Sequence, residues 1–188
     1  MRQKLLERGI NSIEFHEPAG TPMADAIRTV IKNGKLGRDA TTNLLLFSAA
    51  RHEIWHNRAI AELETGKWVI AARNYYSTLA YQGYGEGLDL NLIETVTRQT
   101  TDDLYMNPDV ALILDLDDEE ERFKRIGKRG ELENPDAFES KDDIFQSKVR
   151  NGYLAIAKTH NIETISASQP IEKVTVDLWN IIQKLLPE

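Results

Sequence analysis

Val69–Gly87 reads VIAARNYYSTLAYQGYGEG, and this stretch sets the architecture. With Trp68 in front of it, the run to Ala72 is apolar, rich in β-formers and too short for a helix, which predicts a buried strand. Polar and aromatic groups follow at once: Arg73, Asn74, Tyr75, Tyr76, Ser77, Thr78, Tyr81 and Gln82. Gly83, Gly85 and Gly87, at alternate positions, predict an exit from regular structure. In open α/β sheets, ligands sit just beyond the carboxyl ends of the strands. A cation, a hydroxyl pair, aromatic rings and an amide within ten residues therefore predict a binding segment. A polar strand-to-helix loop that only solubilises the sheet edge is the plainer alternative.

Outward from this stretch, helix and strand patterns alternate. Residues 1–8 read as the last turns of a helix ended by Gly9, and Ile10–Phe15 as a strand. Thr21-Pro22 opens a helix that runs to Gly34. Thr41 or Thr42 caps a long helix that stops at Gly66. Asp89 caps the next helix, and Val110–Leu116 (VALILDL) is the most apolar strand pattern. Glu119–Lys128 reads as a charged helix and residues 129–143 as a polar, mobile segment. Ile144–His160 is helical, Ile162–Ala167 a strand, and Pro170–Leu186 an amphipathic helix. Strands separated by helices predict parallel pairing with helices on both faces.

With 188 residues, the chain is the size of one domain, and nothing in it reads as a linker or repeat. It has no cysteine, so disulfide and thiolate chemistry are excluded. A net charge of −7 argues against a nucleic-acid surface, though not against a local cationic pocket for a phosphorylated ligand. No apolar run reaches membrane-spanning length and no signal peptide is visible, which predicts a cytoplasmic protein without a membrane partner.

Three constellations could carry chemistry. Phe47 and Arg51 are spaced i, i+4 and share a helix face, where a flat ring beside a guanidinium suits a flat heterocycle with an adjacent oxygen. The plainer reading is a core aromatic and a solvated arginine. His52-Glu53-Ile54-Trp55-His56 satisfies H-E-x-x-H, a zinc-peptidase pattern. No convincing third ligand follows among Glu62, Glu64 and His160, and chance matches are common on such helices, so no metal is assigned. Arg122, Lys124, Arg125, Lys128 and Arg129 form a cationic cluster. Glu119, Glu120 and Glu121 stand at ion-pair spacing from it, so an ordinary charged helix surface is the alternative.

Five motifs, in order along the chain, make it resemble the thymidylate kinase family. Residues 16–22 (HEPAGTP) are similar to the family's R-E-P-G-G-T-x loop, and residues 45–51 (LLFSAAR) to its L-L-F-x-A-x-R helix. Ala72-Arg73 followed by S-T-x-A-Y-Q-G at residues 77–83 resembles its D-R segment with S-T-x-A-Y-Q-G. Residues 126–132 (IGKRGEL) resemble the bacterial lid, and residues 165–171 (ISASQPI) the turn after the last strand. The resemblance implies a three-layer α/β fold, a parallel sheet with helices on both faces, of the P-loop nucleoside-monophosphate-kinase type. It implies one domain over residues 1–188, with the lid at 122–143. The implied activity is transfer of the γ-phosphoryl of ATP, with Mg²⁺, to dTMP. Phe47 would stack on thymine, while Arg51 and Thr78 hold the base edge and the monophosphate side. Glu17 and Pro18 face the sugar, Tyr81 and Gln82 border base and sugar, and Arg73 meets the acceptor phosphate. Lys128 and Arg129 reach the transferring group, and Ala167, Ser168 and Gln169 pass over the adenine of ATP. A homodimer packed through helices is also implied.

The sequence departs from the family in three places. Ala72 stands where the family has Asp, and His16 and Ala19 replace an Arg and a Gly. No G-x-x-x-x-G-K-[ST] occurs, the loop whose amides cradle ATP phosphates. The expectation is a chain lacking the first, central strand and this loop, about 20 residues at the amino end, which makes residues 1–188 alone a poor kinase. The flanking strands, Trp68–Ala72 and Val110–Leu116, would then either close up or leave a slot. A non-catalytic nucleotide-binding protein is the second reading, and a zinc peptidase a distant third.

Overall fold

Helices and strands alternate as the apolar spacing predicts. The computed structural model describes residues 1–118, 121, 124–125, 138 and 141–186. In chain order these are α1 (Arg2–Leu6), β1 (Ser12–His16), α2 (Pro22–Lys32), α3 (Ala40–Ile54), α4 (Ile60–Glu64), β2 (Trp68–Ala72) and α5 (Tyr75–Thr78). Then come α6 (Leu90–Thr100), α7 (Asp103–Met106), β3 (Leu112–Asp115), α8 (Asp143–Thr159), β4 (Glu163–Ser166) and α9 (Ile171–Ile182). Thr21 caps α2 as expected, its hydroxyl accepting from the Ala24 amide at 3.2 Å with Pro22 at the first position. For α3 the cap is Asp39 rather than Thr41 or Thr42: its carboxylate accepts from the Thr42 amide at 2.7 Å. A carboxylate with extended backbone takes the place of the hydroxyl two or three residues later.

The strands pair in parallel, as expected, but in two separate sheets. β1 lies beside β2 with Ser12 opposite Trp68 and His16 opposite Ala72, and β3 lies beside β4 with Leu112 opposite Glu163. Among the described residues no ladder joins the two pairs, so the continuous sheet is not found. The buried strand expected at Trp68–Ala72 is also corrected. Trp68, Val69 and Ile70 are half-buried and Ala71 and Ala72 are exposed, and among the described residues β2 has a strand neighbour on one edge only. The charged helix at 119–128 and most of the lid at 122–143 fall outside the described residues, except that Arg125 Nε reaches Glu121 at 2.8 Å, the ion-pair spacing foreseen.

The largest correction concerns the glycines after α5. The segment foreseen as a loop is helical, α5 continuing through a wide π-helical turn, Leu79–Gly85. Only Gly87, at φ +85°, leaves the helix in a conformation that favours glycine. Gly85 serves packing: a Cβ there would stand 2.7 Å from Phe145 on α8. Gly152 on α8 answers it, since a Cβ there would stand 2.7 Å from Tyr84 Cβ. The close approach of these two segments builds the main core, in which Leu44, Tyr75, Leu79, Ile93, Val149 and Ile156 are buried. A second cluster, Phe15, Ala24, Ala50, Ile54 and Trp55, seats α3 on β1 and α2.

Gly152→Ala isolates this contact. Alanine gains about 1 kcal/mol of helix propensity, while overpacking costs about 1–3 kcal/mol. The clash falls on atoms near the Tyr84 backbone, which cannot swing away, so the variant is expected to be less stable, with a lower urea midpoint at unchanged slope.

Candidate active site

Two helical stripes face each other. Asn43, Phe47 and Arg51 recur every four residues on α3 and so share one face. Thr78 at the end of α5, Gln82 in its π-helical extension and Glu86 at the cap of that extension are spaced likewise. The stripes run in opposite directions. At one end Arg51 Nη2 donates to Thr78 Oγ1 at 2.8 Å. At the other, Asn43 Nδ2 donates to both Glu86 oxygens at 3.1 Å, and Gln82 Nε2 donates to Glu86 Oε2 at 3.1 Å. Phe47 lies midway on its stripe, half-buried.

Arg51 is 2 % exposed, so its charge needs partners. Glu17, on the loop leaving β1 and joined to Pro18 by a cis peptide bond, accepts from Arg51 Nε at 3.1 Å. Tyr105 on α7 completes the group: its hydroxyl accepts from Arg51 Nε at 2.9 Å and donates to Glu17 Oε1 at 2.7 Å. Burial opposes the arginine charge, but Tyr105 and Glu17 outweigh it and its pKa is raised. Burial also lifts the Tyr105 phenol well above its ordinary value, with Arg51 pulling the other way, so the phenol keeps its donor proton. Arg51 Nη1 is buried and has no hydrogen-bond partner. An uncompensated buried donor costs about 1–3 kcal/mol, and Ser48 Oγ on the same helix is likewise buried without a partner.

Arg73, directly after β2, has φ +72°, a left-handed conformation uncommon outside glycine. That turn lays its guanidinium 5.4 Å over the Tyr81 ring. Tyr81 belongs to an aromatic group with Phe138, Phe145 and Tyr153 at centroid distances of 5.8, 6.2 and 6.3 Å. Phe138 also meets Phe47 at 6.0 Å, so it links the α3 stripe to the Tyr81 group. Tyr153 donates to Ser77 Oγ at 2.8 Å, and burial pushes its phenol up to about 12.

The remaining expected residues lie elsewhere. Ala167, Ser168 and Gln169 follow β4: the Ala167 amide donates to the Asp115 carbonyl at 2.7 Å, and Ser168 Oγ to Asp117 at 2.5 Å. That bond holds the Asp117 carboxyl below its usual range. Arg150 grips Asp115 with two nitrogens, at 2.8 and 2.7 Å. Lys128 and Arg129 lie outside the described residues. On the H-E-x-x-H segment, His52 Nδ1 lies 2.7 Å from the Thr100 carbonyl, and Glu53 accepts from Asn57 at 2.8 Å. Sequence reasoning missed Asn43, Glu86, Tyr105 and Phe138. Extending each stripe by one turn finds Asn43 and Glu86. Tyr105 stands 88 residues from its partner Glu17 and leaves no local signal.

A family model described as "Thymidylate kinase" matches residues 1–178. A protein named thymidylate kinase from Chlorobium phaeobacteroides is 34% identical over 190 aligned residues, covering 97% of this chain and 86% of that protein. Another so named, from Pseudoalteromonas translucida, is 35% identical over 186, covering 98% and 86%. The crystal structure of thymidylate kinase from Ehrlichia chaffeensis superposes with a TM-score of 0.71 at 29% identity, over 92% of this chain and 81% of that one.

Two expectations follow from this geometry. Glu17→Gln leaves a buried guanidinium without its counter-charge and should cost about 3–5 kcal/mol, read by denaturant unfolding. Tyr75 is raised by burial as well, so of six tyrosines three resist ionisation. A raised folded pKa stabilises below the unfolded value of about 10. That stability is lost as pH climbs through the folded value, about 12 for Tyr153. A phenolate absorbance titration should show those three lagging until the fold gives way.

Proposed function

Because the chain belongs to the thymidylate kinase family, we propose that the space between the α3 and α5 stripes is its dTMP site. The reaction is transfer of the γ-phosphoryl group of ATP to dTMP, giving dTDP. One observation carries the site assignment: a buried arginine with an unpartnered nitrogen, Arg51 Nη1, one helical turn from the aromatic ring of Phe47. In this reading Phe47 stacks on thymine and Arg51 donates to an oxygen on the base edge. Thr78 and Glu17 fix the guanidinium plane, and Glu17 with Pro18 closes the sugar side. Tyr81 and Gln82 border base and sugar, and Arg73 meets the monophosphate.

Phosphoryl transfer asks little covalent chemistry of a protein. It needs the acceptor oxygen in line and cations on oxygens that gain charge. Arg73 supplies one such cation from a rigid turn, and Lys128 and Arg129 supply others. On the donor side, Ala167, Ser168 and Gln169 border the adenine. Mg²⁺ neutralises the phosphates when bound. Such an ion would be held mainly by phosphate oxygens and water, with one or two carboxylates at most, as is usual for Mg²⁺ at nucleotide phosphates.

Three finer points belong to the same proposal. A strand bearing a phosphate-cradling loop joins the two sheets between β2 and β3, supported by the unjoined pairs and the half-exposed β2. The protein forms a homodimer, supported by exposed apolar side chains on and beside mutually packed helices, Val30, Leu36, Leu45 and Leu92. No helix among the described residues is long and apolar enough to cross a membrane.

Titration calorimetry tests the pocket. dTMP should bind in preference to AMP and GMP, and Phe47→Ala should weaken dTMP by about 1–3 kcal/mol if the base stacks there. Equal affinity for the three nucleotides would refute the assignment. ATP-dependent formation of dTDP, compared between residues 1–188 and an upstream-extended chain, tests the added strand; equal rates would count against it.

A further inference from the structure

Glu86 gathers more hydrogen bonds than any reading of the sequence gave it. Its side chain is 10 % exposed, and it accepts from Asn43 Nδ2, from Gln82 Nε2 at 3.1 Å and from Lys141 Nζ at 2.7 Å. Asn43 is itself fixed, because Arg38 Nε donates to its Oδ1 at 2.6 Å. The consequence falls on Gln82. A carboxylate only accepts hydrogen bonds, so the amide nitrogen must face Glu86, and a flipped amide would set two oxygens against each other. Gln82 is 1 % exposed, and no hydrogen bond among the described residues engages its Oε1. Gln82 sits on the stripe that faces Phe47, one turn beyond Thr78, which holds Arg51.

We propose that Glu86 is a positioning residue that sets base selectivity, by fixing the Gln82 amide with its oxygen toward the base. The inference rests on the dTMP site proposed above. The pocket then offers one acceptor, Gln82 Oε1, and one donor, Arg51 Nη1. This pair complements a 2,4-dioxopyrimidine, which carries a ring N–H donor beside a carbonyl acceptor. Cytosine presents the reverse, a ring-nitrogen acceptor beside an amino donor, and would set acceptor against acceptor. Sites that hydrogen-bond a substrate group discriminate strongly against analogues that leave the site's buried polar atoms unpaired.

The experiment compares initial rates with dTMP and dCMP at one ATP concentration for the unmodified enzyme, E86Q and K141M. In E86Q the carboxylate becomes an amide that can donate as well as accept, so the Gln82 amide is released to turn. The ratio of kcat/KM for dTMP over dCMP should fall by at least about tenfold in E86Q, mainly through KM. K141M removes the ion pair but keeps the carboxylate, and its ratio should stay as in the unmodified enzyme. An unchanged ratio in E86Q, with thermal unfolding showing a folded protein, overturns the proposal. If E86Q does not fold, Q82M takes its place, and retention of the full ratio by Q82M overturns it equally. Phe47→Ala separates the two readings. If it leaves the dTMP KM unchanged, the pocket itself is misassigned. If it raises that KM while E86Q keeps its ratio, the pocket stands and the role of Glu86 falls.

Discussion

The buried ion pair between Arg51 and Glu17 is the constraint on which the rest of the molecule depends. Desolvating two such ions costs several kcal/mol each, which the pair recovers only with good geometry and further hydrogen bonds. Those come from Thr78 and Tyr105. Four chain segments therefore have to arrive together: α3, the loop after β1, α5 and α7. None can shift without stranding a charge. That requirement orders these segments even where the strands beneath them form two separate pairs among the described residues. It also leaves one arginine nitrogen, Nη1, without a hydrogen-bond partner.

The helical stripes transmit this order along the pocket. Arg51 fixes one end through Thr78, and Asn43 fixes the other through Glu86. Between them Phe47 is held by its backbone and by Phe138, which contacts Phe47 and Tyr81 together. Tyr81 carries the order to Arg73, whose left-handed backbone aims the guanidinium over the ring. Strain of this kind persists where its surroundings over-determine it. Here the surroundings are the same aromatic group.

Much of this was legible in the sequence because it is periodic. The i, i+4 spacing of Phe47 and Arg51 placed them together, and the cap at Thr21 and the order of strands and helices read directly. What failed was non-local. The triple glycine pattern of residues 83–87 reads as a chain break when only local propensity is weighed, yet Gly85 is where α8 comes closest. The long stretch of sequence between Gly85 and α8 hides that contact. Tyr105 is similar: as a tyrosine in a short polar helix it has no local mark, and only the fold brings its hydroxyl to Glu17. Trp68–Ala72 read as buried because its composition is apolar, but composition cannot say how many neighbours a strand has.

The H-E-x-x-H segment shows how geometry ranks two motifs on one helix. Successive residues of an α-helix point about 100° apart, so the stripe of Asn43, Phe47 and Arg51 cannot share its direction with His52 and His56. Arg51 turns inward and is buried, and its neighbour His52 turns outward and meets the Thr100 carbonyl at the end of α6. The imidazoles of His52 and His56 stack at 4.4 Å on that exposed side. Glu53, between them, is half-buried and spends its carboxylate on Asn57 and on the Thr21 hydroxyl, 3.5 Å away. A catalytic zinc site needs three ligands converging on one point and an open fourth position, whereas His52 is engaged by the Thr100 carbonyl and Glu53 by Asn57 and Thr21. Burial therefore separates an inward stripe, which meets Thr78 and Glu86, from an outward one, which meets the end of α6.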